Sequence, residues 1–175
     1  MRHPDNERRE KRMKMIEVEI TENMKQQAWR KAREMGKLKN SIMKGDGNIA
    51  GFLGEAVANE VLDGIISNTF DYDIMTEDTT WDVKTKRCTS PPKDYYDCSV
   101  ADYNTSQDCD NYIFVRIENK NGRWGRAWVL GWLPRDEYYK KARTLTKGQK
   151  DPSNGFIVRA DCHNVAIKDL NKFEE

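Results

Sequence analysis

Glu55, Asp73, Asp82 and Lys84 follow one another in an order that could hold a divalent cation beside an amine. The segments TFDYDIM (69–75) and TWDVKTK (80–86) read as two strands joined by a polar connection. A pairing symmetric about that connection sets Asp73 opposite Asp82. Directly opposed side chains have Cβ atoms about 4.5–5.5 Å apart, and like charges at such a pair destabilise a sheet. A hard cation with oxygen ligands compensates: Mg²⁺ is held by one or two carboxylates and keeps its other positions for water and substrate phosphate. Lys84, two residues past Asp82, emerges on the same strand face, and Val83 points to the other. A metal there lowers the pKa of bound water, and Lys84 orients that water or stabilises the extra negative charge of the transition state. The chemistry is phosphodiester hydrolysis with Mg²⁺ or Mn²⁺, and Glu55 is expected to complete the cation site or to bind a second ion. Asp71 is the second choice for the role of Asp73, and Glu60 for that of Glu55.

Glu55 needs a helix to bring it there. Ile49, Phe52, Leu53, Ala56, Val57 and Val61 recur at the spacing of a buried helix face over about residues 48–62. On that helix Glu60 projects into the middle of the apolar stripe and Glu55 sits at its flank, where a side chain can reach a cleft beside the core. Upstream, MIEVEI reads as a short half-buried strand, and Thr21 caps a helix that Gly36 ends. Downstream, residues 88–110 hold Pro91-Pro92 and show no clear period. YIFVRIE (112–118) and WGRAWVLGWL (124–133) flank Asn121-Gly122, a strong hairpin signal. Pro134 opens a helix through DEYYKKAR, and GFIVRA and NVAI suggest two more strands. The expected architecture is α/β, a central mixed sheet flanked by helices. Residues 1–14 are expected to form a charged N-terminal arm, and residues 15–175 a single domain.

Composition excludes some classes. No apolar run approaches the roughly 18 residues of a membrane helix, and the first 15 residues lack the apolar stretch of a secretory signal, so a soluble cytoplasmic protein is expected. The four cysteines have no CxxC spacing, and reduced thiols are expected rather than a disulfide scaffold or a zinc module with His163. Formal net charge is only +1, but residues 41–83 carry nine acidic side chains against one basic, between basic flanks. That distribution suits a cation site inside a phosphate-attracting surface and disfavours an acidic mimic. Lys86, with Arg87 and Lys44, is expected to contact backbone phosphates. The evenly spaced Trp124, Trp128 and Trp132 are expected to pack in the core rather than stack on bases.

A D-x-K triplet by itself is commonplace. The ordered set of a helix bearing Gly54-Glu55, a strand bearing Asp73 and a strand bearing Asp82-Val83-Lys84, all inside the acidic block, is not. That set resembles the PD-(D/E)XK, or restriction-endonuclease-like, nuclease superfamily, over the span from GNIAGFLGEAVANEVL to WDVKTKR. The resemblance implies a restriction-endonuclease-like core, Mg²⁺ bound by Glu55, Asp73 and Asp82, water activation with Lys84, and DNA cut to 5′-phosphate and 3′-hydroxyl ends. Small phage-encoded members are the nearest in appearance, which implies the cytoplasm of an infected cell. Tyr72 stands where the family name has Pro, Asp82 replaces the commoner Glu, and residues 88–110 offer no clear counterpart of the helix expected after the D-x-K strand. An endonuclease is favoured because nothing marks a channel for processive action. A junction resolvase or recombination exonuclease on the same fold, and a non-catalytic nucleic-acid-binding module, are the alternatives. A homodimer, in which many such nucleases cut both strands, is compatible with the chain, although no heptad or interface stripe points to one.

Overall fold

The computed structural model describes residues 15–39, 46–102, 105–152 and 154–174. The elements run β1 (Ile16–Glu19), α1 (Glu22–Lys39), α2 (Asp46–Leu62), β2 (Ile65–Ile66), β3 (Ile74–Thr76), β4 (Thr79–Cys88), β5 (Asp97–Ala101), β6 (Asn111–Lys120), β7 (Arg123–Pro134), α3 (Arg135–Lys141), β8 (Arg143–Leu145) and β9 (Cys162–Ala166). This is a mixed α/β architecture. Six strands form one mixed sheet in the order β1-β7-β6-β4-β3-β2, and β5-β9-β8 form a second, smaller sheet. Within the large sheet β4 and β6 are parallel and every other neighbour is antiparallel.

The central strand explains the layering. Residues Asn111–Glu118 of β6 are buried throughout, as a strand covered on both faces must be, and its apolar run is therefore continuous rather than alternating. Ile113, Val115 and Ile117 pack with Ala28, Ala32, Leu53 and Val57 of α1 and α2. Tyr112 and Phe114 pack on the other side with Tyr138 of α3 and with Val100 and Val165 of the small sheet. Helices thus cover one face of the large sheet, and the small sheet with α3 covers the other. Among the described residues, no helix is long and apolar enough to cross a membrane.

Local chemistry sets the boundaries. The Met24 N–H donates to Thr21 Oγ1 at 3.2 Å, the expected cap of α1, but that helix continues past Gly36 to Lys39; glycine in a helix costs only about 1 kcal/mol, which three further residues of helix can offset. Asn121 and Gly122 both adopt positive φ, 54° and 81°, as the tight β6–β7 turn requires. Register shifts between Phe114 and Val115 and between Ile117 and Asn119 divide the even tryptophan spacing. Trp128 accordingly packs towards the small sheet, whereas Trp124 and Trp132 pack towards the helices. All three belong to the core, as expected.

Other expectations need correction. The first strand of the acidic hairpin is only Ile74–Thr76, because residues 67–73 fold back on themselves through Ser67 N–H to Asp73 O and Thr69 N–H to Tyr72 O. GFIVRA forms one isolated bridge, Lys150 with Ile157, rather than a strand. The parallel connection from β4 to β6 contains β5 of the small sheet, and no helix among its described residues. The expected arm, residues 1–14, lies outside the described residues.

Candidate active site

The site forms where β3 leaves β4. Pairing of Ile74 with Trp81, Met75 with Thr80 and Thr76 with Thr79 is the symmetric register expected, and it brings Asp73 level with Asp82. Beyond Trp81, β4 is paired only with β6. Asp73 occupies the vacated edge: its backbone N–H donates to Trp81 O at 2.9 Å, and its carboxylate accepts the Val83 N–H at 2.8 Å. A side-chain oxygen thus replaces the next backbone acceptor of the ladder, which fixes this carboxylate against β4.

Glu55 arrives from the helix side because α2 lies very close to β4 at Gly54. A Cβ at that position would run into Thr85 Oγ1, so only glycine permits the approach. Glu55 is buried, and one of its oxygens accepts from Asn68 Nδ2 at 2.7 Å. Asn68 adopts a positive φ of 45°, a conformation asparagine tolerates better than most residues. The Glu55 charge also acts on Asp73.

On the opposite face, Asp82 Oδ2 lies 2.6 Å from Lys84 Nζ. Lys84 donates to Gln107 Oε1 at 2.9 Å, and Gln107 Nε2 donates to Asp82 Oδ1 at 3.1 Å and to Phe70 O at 3.0 Å. The three side chains form a closed ring, with Lys84 Nζ 5.3 Å from the centre of the Tyr112 ring. Asp82 is 4% exposed, so this pairing matters in a way that a surface ion pair does not.

Electrostatics tie the two halves together. Burial, then the charges of Asp82 and Glu55, push the Asp73 carboxyl up to about 8, against the opposing pull of the Val83 N–H. Burial also raises Glu55, with Asp82 adding to the rise and the Asn68 amide resisting it. Both carboxyls are thus harder to ionise than in water, a cost that a neighbouring cation would relieve.

The donor set suits a hard divalent ion. Oxygen ligands from Glu55, Asp73 and Asp82 are at hand, and mutual repulsion of the carboxylates is the feature that a cation relieves. Among the described residues no three Asp, Glu, His or Cys side chains are already grouped as a ligand cage. Mg²⁺ does not need one, since one or two carboxylates with water and phosphate complete its octahedron. The neighbouring Cys109 thiol is pushed up to about 12 by burial and then by Asp82, so it stays protonated and is a poor metal ligand. All four cysteines are free, and His163 is engaged by Asp102 at 3.0 Å.

Asp82 and Lys84 lie together on one face of β4, Glu55 comes from the helix side and Asp73 sits at the vacated edge, the three carboxylates acting on one another electrostatically. Asp71 does not join them: its carboxylate accepts the Asp108 N–H at 3.1 Å and so fixes the loop that carries Gln107. Glu60 is exposed, contrary to its expected place inside the apolar stripe; the buried acidic position of α2 is Glu55. Lys86 lies on the Asp82–Lys84 face, but strand alternation turns Arg87 to the other face, away from it. Lys44 lies outside the described residues. Gln107 and Asn68 carry no local mark of a site role, their partners Asp82 and Glu55 being 25 and 13 residues away in the chain. No protein-family model matches the chain, and no curated protein matches it.

Proposed function

We propose that the protein is a metal-dependent DNA nuclease with a restriction-endonuclease-like core of the PD-(D/E)XK kind, acting in the cytoplasm, that of the host cell if the protein is phage-encoded. The observation that carries this reading is Lys84 2.6 Å from the buried Asp82, with the charges of Asp82 and Glu55 both acting on Asp73 at the neighbouring sheet edge. The antiparallel β3–β4 hairpin and the parallel β4–β6 pair support the core assignment.

Glu55, Asp73 and Asp82 hold Mg²⁺ or Mn²⁺, which when bound supplies charge neutralisation at the phosphate and a lowered water pKa. The residues do the rest. Asp73 and Glu55 would be held in their ionised forms beside the ion. Lys84 exchanges its contact with Asp82 for the reacting phosphate or its attacking water, and donates where negative charge grows in the transition state. Gln107 keeps the Lys84 ammonium on the Asp82 face through that exchange. Water adds to phosphorus and the 3′-oxygen leaves, giving 5′-phosphate and 3′-hydroxyl ends.

Purified protein incubated with linear, circular and branched DNA tests this reading. Cleavage of closed circles with Mg²⁺, and none with chelator, is expected for an endonuclease. Cutting confined to free ends or to junctions would assign the exonuclease or resolvase role instead, and no cutting with either metal would refute the enzyme reading in favour of a binding module.

A further inference from the structure

The large sheet and the small sheet enclose a cleft of about 870 Å³, and a second cavity of about 220 Å³, lined in part by Lys84, adjoins it. Lys86, Asp97, Ser99 and Arg116 line both and stand between the two spaces. The proposed catalytic chemistry does not use this cleft.

Arg116 is the unusual residue there. It is 7% exposed, yet among the described residues no carboxylate lies within ion-pair distance of its guanidinium, which donates to Asp97 O at 3.0 Å and lies 5.1 Å from the Tyr96 ring centre. A buried cation without a counter-charge is costly unless something completes it. Lys86 adds a second positive charge beside it, and the ammonium pKa is lowered by burial and then by Arg116. The carboxylates of Asp97 and Asp151 are both engaged by Arg143, at 2.6 and 3.4 Å, and Asp97 offsets part of the positive charge at Lys86. Towards the mouth stand two solvent-facing rings, Tyr95 (61% exposed) and Phe156 (53% exposed), with the Arg159 guanidinium 5.9 Å from the Phe156 ring centre.

Cations deep in a cleft and exposed aromatic faces at its mouth match the alternation of phosphate and base in an unpaired strand, since stacking needs a free base face that a duplex does not offer. We infer that this cleft binds a single-stranded segment of polynucleotide, with a backbone phosphate at Arg116 and Lys86 and bases stacked on Tyr95 and Phe156. Resting on the nuclease reading, it guides an unpaired strand to Lys84, so that the preferred substrate is single-stranded or has an unpaired tail beside the scissile bond.

The test is fluorescence anisotropy of a labelled oligo-dT of about 12 nucleotides, with a hairpin duplex for comparison, on the full chain in chelator so that nothing is cut. The single strand is expected to bind more tightly than the duplex. Y95A and F156A, both surface changes that leave the melting temperature unaltered, should each weaken single-strand binding by at least about 5-fold. K86Q should lower the salt dependence by close to one phosphate contact. R116M is expected to be the most damaging; should it fail to fold, Y95A and F156A still decide the question. Binding indifferent to both ring substitutions, or a duplex held as tightly as the strand, overturns the proposal. The two readings fail separately: loss of oligonucleotide binding in Y95A with no cleavage by wild type under any metal refutes the nuclease and supports the cleft. Cleavage that depends on Asp82 but binding indifferent to Tyr95 and Phe156 does the reverse.

Discussion

Replacing Asp73 with Asn tests the electrostatics of the site directly. The Asp73 carboxyl is pushed from its ordinary value of 3.8 up to about 8 by burial and by its two acidic neighbours. In the folded chain it stays protonated over a range in which the unfolded chain has lost the proton, so its contribution to stability is greatest at acid pH and declines as pH rises from about 4 to about 8. A tenfold change in proton affinity corresponds to about 1.4 kcal/mol, which sets an upper bound of roughly 5–6 kcal/mol. Water at the sheet edge reduces this, and a loss of about 2–3 kcal/mol between pH 5 and pH 8.5 is expected. Asn keeps an oxygen for the Val83 N–H but cannot ionise. Urea unfolding at several pH values, without metal, should give D73N a flatter profile and make it the more stable protein at pH 8.5. Mg²⁺ should stabilise wild type at pH 8.5, more than at pH 6, and D73N only weakly. Identical pH profiles for wild type and D73N would refute the inferred clustering of the three carboxylates.

Gly54→Ala drives a methyl group into Thr85; it should cost about 1–3 kcal/mol in urea unfolding and slow cleavage further by displacing Glu55. Gln107→Ala removes the amide that bridges Asp82 and Lys84, and cleavage should fall by about 10–100-fold, with DNA binding in chelator changed little. Glu60→Gln, at an exposed position, should leave cleavage and melting temperature unaltered, which sets it apart from Glu55→Gln.

The acidic hairpin was legible because its register follows from turn symmetry, a local property, and the pairing of Ile74 with Trp81 leaves Asp73 and Asp82 as the next residues of the two segments. The apolar stripe of α2 and the Asn121-Gly122 turn were legible for the same reason: period and turn chemistry reside in neighbouring residues. Residues whose state depends on distant partners were not. β5 and β8 are short strands stabilised by pairing with β9, more than 60 and about 20 residues away in the chain. Asn68 carries no sign in its own surroundings that it holds Glu55, and Gln107 reads as an ordinary loop amide until Phe70 and Asp82 are brought beside it. Glu60 was misplaced because helical phase alone decided its position, whereas the contact between Gly54 and Thr85 sets how α2 is rotated on the sheet.

The most direct measurement is single-turnover DNA cleavage by wild type, D82N and K84A, each with Mg²⁺ and with chelator, alongside DNA binding in chelator. Cleavage is expected from wild type with Mg²⁺ alone, with both variants slower by at least about 100-fold while still binding DNA. Cutting that survives chelation, or that D82N and K84A carry out at the wild-type rate, would contradict a metal-assisted phosphodiesterase built on these four side chains.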